Sequence, residues 1–366
     1  MLESLYTEAI KKKGTIHDKI KEYEISNYNI SDFWNDEKIP VSNDSLTIAA
    51  GDGSKHEKKF LSFYFYAISS ISLIYNSKLS KIESSEINTI PHSNFAKDRI
   101  RNYMGLFEVK NALKTIKSHN IDYYLYDGSL SGDLIRPSPI GKDIPQDVRF
   151  DILDLAEEKI NEELGSIENH DIGVFSSKIV NKLKNRVSYI NSSHSNQLIV
   201  ENYLENIEKL LSLFNLLKYK DKIIAISKTS IANDYFKESN IPDMAIFDKY
   251  TRNVGYSTSS SKNPIYINID DSKREFPVKN DFFKSLVFTI FYVRLEENKN
   301  ILKIELPYKA TNSKIKEIIG IISRDCTDGY PYLLKKAHHE VVIKRSDIEQ
   351  LSKIIGIYEK SGREML

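Results

Sequence analysis

LTIAAGDGSKHEKKFLSFYFYAISSISLIY, Leu46 to Tyr75, is the stretch that decides the fold. Leu46 to Ala50 is a short apolar run of buried-strand length. Gly51, Asp52, Gly53 and Ser54 follow at once, and two glycines let the backbone bend or approach a ligand closely. Lys55 to Lys59 reads as a charged turn. Phe60 to Tyr75 returns as a long aromatic and β-branched run, so the stretch predicts a β-hairpin with Asp52 at the end of a core strand. Asp-Gly is also a common turn pair, so one copy carries little weight. A second copy changes that. Ile121 to Tyr126, IDYYLY, has the pattern of a buried strand and runs into Asp127-Gly128-Ser129-Leu130. Mixed and parallel α/β sheets gather their chemistry at strand ends.

Outward from the hairpin, residues 1–30 look helical and polar. Leu5, Ala9, Ile10, Ile16, Ile20 and Tyr23 stand at loosely helical spacing, a cap on the domain or else a packing arm or dimer contact. Residues 31–45 read as a loop holding the only tryptophan, Trp34, and Lys78 to Ile90 as a third strand. Asn94 to Ser118 is a core helix: Ile100, Tyr103, Leu106, Phe107, Leu113 and Ile116 follow a period near 3.6. Glu108 lies in its middle, where most glutamates are solvated. A proline-punctuated loop spans Pro137 to Pro145. Helical patterns then cover Asp151 to Glu163, Ser176 to Val187 and Ser195 to Tyr219, a helical insertion over about 150–220.

Lys222 to Ile226 is a short core strand that ends in Ser227 and Lys228. A lysine at a strand end holds a phosphate or carboxylate as a point charge. Residues 251–280 are polar and read as a mobile loop. Asp281 to Leu295 and Ile301 to Leu306 predict a hairpin, and Asn312 to Ser323 an amphipathic helix. Tyr332 to His338 predicts a short helix. Tyr330 and His338 are eight residues apart, so both can face one side. Val341 to Ile343 reads as a short strand, and Ser346 as the N-cap of a final helix.

Bulk properties narrow the class. The 366 residues suffice for one large domain or two ordinary ones, and 40% hydrophobic residues allow a sizeable core. A formal net charge of only +1 does not mark a nucleic-acid binder, so any such site is a local patch. Cys326 is the only cysteine, which excludes an internal disulfide framework and fits a reducing cytoplasm. The first residues lack the apolar centre of a signal peptide, and no run approaches the length of a membrane span.

Two aspartates at strand ends, a helix glutamate, a lysine and a histidine suggest a hard-metal site. Oxygen ligands suit Mg²⁺ or Mn²⁺. Two such ions about 3.5 to 4 Å apart activate water and stabilise the leaving oxygen in phosphodiester cleavage. Tyrosine, lysine and histidine can then contact phosphate or transfer protons. The order strand with Asp, strand, strand, helix with Glu, strand with Asp is that of a ribonuclease H-like α/β core, a mixed sheet flanked by helices. A haloacid-dehalogenase-like phosphatase expects an acid two residues after its aspartate. Ser54 and Ser129 stand there instead, which rejects it. No Walker A motif, GxGxxG after a strand or zinc motif is present.

The chain resembles the NurA family of DNA end-processing nucleases. The resemblance runs from about Leu46 to Ile343 and is carried by GDGS at Asp52, FEVKNAL at Glu108, YLYDGSL at Asp127, ISKTS at Lys228 and GYPYLLKKAHHEV at Tyr330 and His338. It implies a nuclease domain over 46–345, with a helical arm at 1–45 and a C-terminal helix at 346–366. It implies Mn²⁺-dependent 5′-to-3′ exonuclease action on DNA, endonuclease action on single strands, a homodimer and partnership with the hexameric translocase HerA. Carried over by position, Asp52 and Asp127 are the principal metal ligands and Glu108 completes the acidic cluster. Lys228, Tyr330 and His338 surround the scissile phosphate, with His338 preferred to His339 because it directly follows Ala337. For DNA the expected contacts are Lys55, Lys58, Lys59, Lys335, Lys336, Lys344 and Arg345, with Tyr332 to stack on bases. Two other readings compete: a catalytically silent DNA-end clamp for the motor, and a ribonuclease H-like enzyme acting on RNA or DNA junctions.

Overall fold

Aromatic and β-branched residues favour strands, and three long strands form across 48–91. The structure is a computed structural model that describes residues 2–22, 30–42, 45–136 and 143–357. After the two-residue β1 (Trp34–Asn35), β2 (Ile48–Lys59), β3 (Phe63–Asn76) and β4 (Lys78–Pro91) make an antiparallel meander. β5 (Tyr123–Asp127) joins parallel to β2, and β6 (Ile223–Ser227) parallel to β5. β7 (Gly255–Ser257), β8 (Ile265–Asn268), β9 (Val287–Arg294) and β10 (Leu302–Leu306) complete a mixed ten-stranded sheet among the described residues. Its path is β1-β7-β9-β10-β6-β5-β2-β3-β4, with β8 paired to β9. β11 (Cys326–Thr327) and β12 (Tyr330–Pro331) form a separate ribbon.

Helix α1 (Glu3–Glu22) precedes the sheet. α2 (Ala96–Ser118) connects β4 to β5, and the short α3 (Leu130–Ile135) follows β5. α4 (Gln146–Gly165), α5 (Ser176–Lys184), α6 (Ser188–Asn191) and α7 (His194–Leu217) lead to β6. α8 (Asp243–Tyr250) and α9 (Asn280–Lys284) lie among the later strands, and α10 (Asn312–Ser323), α11 (Tyr332–Val341) and α12 (Arg345–Ile354) come last.

Strand residues alternate between faces, and two cores result. Ala49, Tyr124, Tyr126, Ile223 and Ala225 pack with α2, α4, α5 and α7. Ile48, Ala50, Leu125, Ile224 and Ile226 pack with α10 and α11. Buried ion pairs fasten α2 to α7. Arg99 Nε donates to Glu205 at 2.9 Å, and Lys110 pairs with Glu208 while its ammonium lies 3.4 Å from the Phe175 ring centre. Removing one partner of such a pair strands a buried charge.

Several expectations are corrected. Lys55 to Lys59 is not a turn. β2 stays paired with β3 from Ile48 opposite Tyr75 to Lys59 opposite Tyr64, so Asp52 lies inside a strand. Lys58 and Lys59 continue the strand opposite Phe65 and Tyr64, and their ammonium groups settle over the Phe60 and Tyr64 rings, at 5.0 and 5.9 Å. Trp34 is not in a loop: it pairs with Ser257, and its buried ring packs on Phe247. Residues 251–280 hold β7 and β8, which satisfy the otherwise open edge of β9. Asp281 to Lys284 turns as α9 before the strand begins at Val287. Val341 ends α11 rather than starting a strand, and Ile343 N donates to Ser54 Oγ at 3.0 Å. Ser346 is not the cap of α12. The cap position is Lys344, whose N–H donates to Asp347 Oδ2 at 2.7 Å, a charge-assisted bond that outcompetes a serine. Helix α1 caps nothing among the described residues, since Leu5, Ile10, Ile16 and Ile20 are all exposed. Tyr23, the loop residues 137–142 and the terminal 358–366 lie outside the described residues.

The parallel pairing of β2 with β5 requires a bare residue at Gly51. A Cβ there would stand 1.9 Å from the Tyr124 hydroxyl and 3.0 Å from the Ile71 carbonyl oxygen. Gly51→Ala is therefore expected to cost about 1–3 kcal/mol of stability by overpacking. Urea unfolding measures it, and an unchanged midpoint would refute this tight fit.

Candidate active site

The β2–β5 register pairs Gly51 with Tyr126. One residue on, Asp52 and Asp127 stand level at the mouth of the sheet. By alternation Asp52 shares the face of Ala50 and Ile48, which is the face that α11 covers. His338 of α11 meets it there, with Nδ1 2.7 Å from Asp52 Oδ2. Asp52 Oδ1 accepts from Gly53 N at 2.8 Å. Asp127 pairs in register with Ile226, so the residue that follows β6 arrives beside it. Lys228 Nζ donates to Asp127 Oδ2 at 2.8 Å and lies 4.7 Å from the centre of the Tyr330 ring. Ligand atoms of Asp52, Asp127 and His338 all lie within 4.8 Å of one another.

Glu108 comes from the opposite face. Gly53 has no side chain, and a Cβ there would fall 2.5 Å from Glu108 Oε1. The helix glutamate thus lies against bare backbone next to Asp52, outside the set of three. Burial, followed by the charges of Asp52 and Asp133, drives its carboxyl well above the usual range, with Lys209 opposing. Burial also raises Asp127, against the pull of its Lys228 hydrogen bond. The Tyr330 phenol is pushed up by burial and by the charges of Asp127 and Asp52. Its hydroxyl is close to Asp127 yet, by bond geometry, it has no hydrogen-bond partner although it is buried.

The Asp127 turn is held from beneath. Gly128 adopts a φ of +123°, which favours glycine. Ser129 caps α3 by accepting from Gly132 N at 2.9 Å and donates to Glu305 at 2.6 Å. Glu305, fully buried on β10, also accepts from Ser131 N at 2.9 Å. Glu305, Asp133 and Lys209 went unrecognised in the sequence. Asp133 closes the motif DGSLSGD, six residues beyond the second aspartate in the first turn of α3, and was legible there. Lys303 and Glu305 alternate in the apolar run ILKIEL, a sign of buried charge in a strand. Lys209 arrives from α7 and has no local signal; it lies 3.4 Å from Asp133.

The resulting cleft, of about 370 Å³, is lined by Asp52, Glu108, Asp127, Asp133, Lys228 and His338 among others. Lys55, Lys335, Lys336 and Tyr332 do not line it. Lys55 pairs with Glu57 at 2.7 Å, Lys335 with Asp328 at 2.9 Å, Lys336 with Glu340 at 2.8 Å, and Arg345 with Glu349 at 3.0 Å. Tyr332 is half exposed in a separate apolar hollow with Tyr75 and Leu79. His339 is exposed beside His338, whose ring alone bonds to Asp52.

Two carboxylates and an imidazole, with an orphaned phenol beside them, fit the oxygen and nitrogen donors that Mn²⁺ or Mg²⁺ takes. Fold and site together define an α/β protein with a carboxylate–imidazole centre suited to a hard cation. The chain belongs to the NurA family, whose NurA domain pattern matches residues 46–343. It is 33% identical over 341 residues to the probable DNA double-strand break repair nuclease NurA of Methanocaldococcus jannaschii, covering 88% of this chain and 81% of that one. It is 27% identical over 374 residues to the DNA double-strand break repair nuclease NurA of Sulfurisphaera tokodaii, covering 98% and 97%. In fold it matches the crystal structure of the NurA nuclease from Sulfolobus solfataricus, with a TM-score of 0.71 at 21% identity over 97% of each chain. It also matches a crystal structure of NurA bound to dAMP and manganese, with a TM-score of 0.71 at 18% identity over 100% of each.

The raised Glu108 carboxyl makes a pH prediction. A folded-state value above the ordinary 4.5 means that its proton is held more tightly in the native protein. Stability is then fully present below the ordinary value and is lost as pH rises toward the folded one. With a chelator present, Glu108→Gln removes this loss. Its Tm relative to wild type should climb as pH rises above the ordinary 4.5. A difference that stays flat across that rise would place Glu108 in solvent.

Proposed function

We propose that this protein is a metal-dependent DNA nuclease that trims ends at double-strand breaks. The observation that carries the reading is the convergence of Asp52, Asp127 and His338 within 4.8 Å, flanked by Lys228 and the buried Tyr330 hydroxyl. Belonging to a family whose relatives bear the name of DNA repair nucleases supports it. Asp52, Asp127 and His338 would hold Mn²⁺ or Mg²⁺, with Glu108 completing the acidic shell of a two-ion site. When bound, such ions lower the pKa of water and polarise the phosphate.

The protein's own groups supply the rest. Lys228 meets a phosphate oxygen as a point charge, and moves from Asp127 to do so. Tyr330 donates its hydroxyl to the same phosphate and gains the partner it lacks. His338 fixes the Asp52 carboxylate through Nδ1 and would offer its other ring nitrogen to the ion. Glu108, whose carboxyl burial holds well above its usual range, would have its charged form favoured by a cation beside it.

The finer reading follows the family. The core is ribonuclease H-like, supported by the order β4-β3-β2-β5-β6 with carboxylates from β2, α2 and β5. The enzyme works as a 5′-to-3′ exonuclease and single-strand endonuclease, as a homodimer with a HerA-type hexameric ATPase, in the cytoplasm. No helix among the described residues is long and apolar enough to cross a membrane.

The deciding assay uses 5′-end-labelled single- and double-stranded DNA with Mn²⁺, Mg²⁺ or chelator. Asp52→Asn and Asp127→Asn should each reduce metal-dependent cleavage by at least about 100-fold, and DNA binding should survive. Cleavage that persists in either variant removes that residue from the centre. Binding without cleavage by wild type under every metal would favour the silent clamp.

A further inference from the structure

Beside the cleft lies a second cavity of about 650 Å³, between α2, α4, α7 and the segment 274–277. Asp133 and Arg136 line both spaces and stand at their common wall. The second cavity has the opposite electrostatic character. Arg101, Arg136, Arg149, Lys209 and Arg274 line it against three acids, Asp98, Asp133 and Glu275. Those acids are already engaged: Asp98 lies 3.6 Å from Arg101, Asp133 3.4 Å from Lys209, and Glu275 2.5 Å from Lys284. Arg136 and Arg149 have no carboxylate partner among the described residues, and Arg274 Nη1 donates only to the carbonyls of Leu134 and Arg136.

Two donors make the cavity more than a basic surface. Arg149 Nε and Asn102 Nδ2 are shielded from solvent and bond to nothing in the protein. Buried donors are almost always paired, so two without a protein partner in one cavity are available to an acceptor that arrives with a ligand. Phosphate oxygens are such acceptors and match a guanidinium's fork. Phe95, half-buried at the start of α2, offers an apolar face of the kind that bases stack on.

We propose that this cavity is a nucleotide subsite, which takes the phosphate and base of the nucleotide flanking the scissile phosphate on a single DNA strand. The proposal rests on the nuclease reading above. A strand seated there would pass the common wall of Asp133 and Arg136 on its way to Asp52 and Asp127. Arg149 and Asn102 hold the flanking phosphate and Arg101 guards the rim.

The test is fluorescence anisotropy with a labelled ten-nucleotide oligothymidylate, in chelator, at several salt concentrations. Arg149→Gln should weaken binding about tenfold and lower the salt slope by about one. Arg149→Lys should recover part of the loss. Arg101→Gln, on an exposed part of α2, should weaken binding in the same direction and is not at risk of misfolding. The loss for Arg149→Gln on the ten-nucleotide strand should exceed that on a dinucleotide severalfold. Wild-type binding by both Gln variants, or an equal loss on the dinucleotide, overturns the subsite. The two failures separate cleanly. Loss of the nuclease reading shows as absent cleavage by wild type, and loss of the subsite as unaltered strand binding in an enzyme that cuts.

Discussion

Carboxylates crowded at one edge of a sheet repel one another, and this molecule is arranged around that repulsion. Asp52, Asp127, Glu108 and Asp133 line a single cleft where burial lowers the effective dielectric. Each is answered differently: Asp52 by His338, Asp127 by Lys228, Asp133 by Lys209, and Glu108 by a carboxyl that burial holds well above its usual range. The crowding persists because the frame does not yield. The β2–β5 register fixes two of the acids, Glu305 holds the Asp127 turn, and buried ion pairs between α2 and α7 fix the helix that carries the third. A cation relieves the repulsion most completely, so binding it draws on energy already stored in the apo fold.

The sequence carried the elements of this centre better than their relation. Short-range pattern was enough for β4, α2, β5, β6 and α10, because periodicity and apolar runs are local signals. Both DGS motifs were visible, but not that Asp52 sits inside a strand. The reason is pairing: Ser54 to Lys59 look turn-like in isolation and become strand only because β3 lies opposite throughout. The same holds for Trp34 and for 251–280, whose strands exist to close the edge of β9. Glu108 looked solvated because nothing near it in sequence reports the bare backbone of Gly53 against which it lies. The ribonuclease H-like description came from the order of strands and carboxylates, the roles of the individual residues from resemblance, and both remain part of the proposal.

The near-neutral chain hides a separation of charge that bears on how a strand would enter. The cleft is acidic, while the adjoining cavity holds five cationic side chains, of which Arg101 and Lys209 are paired with Asp98 and Asp133 and the other three have no carboxylate partner among the described residues. A phosphate backbone is drawn to the cavity and turned away from the cleft. The sign of the cleft reverses only when cations neutralise its carboxylates, so strand capture can precede metal loading but insertion at the centre cannot. Asp133 and Lys209 stand where the two fields meet. Their ion pair lets the cavity end at the cleft without its cations competing for Asp52 and Asp127, and this keeps those two carboxylates available for metal.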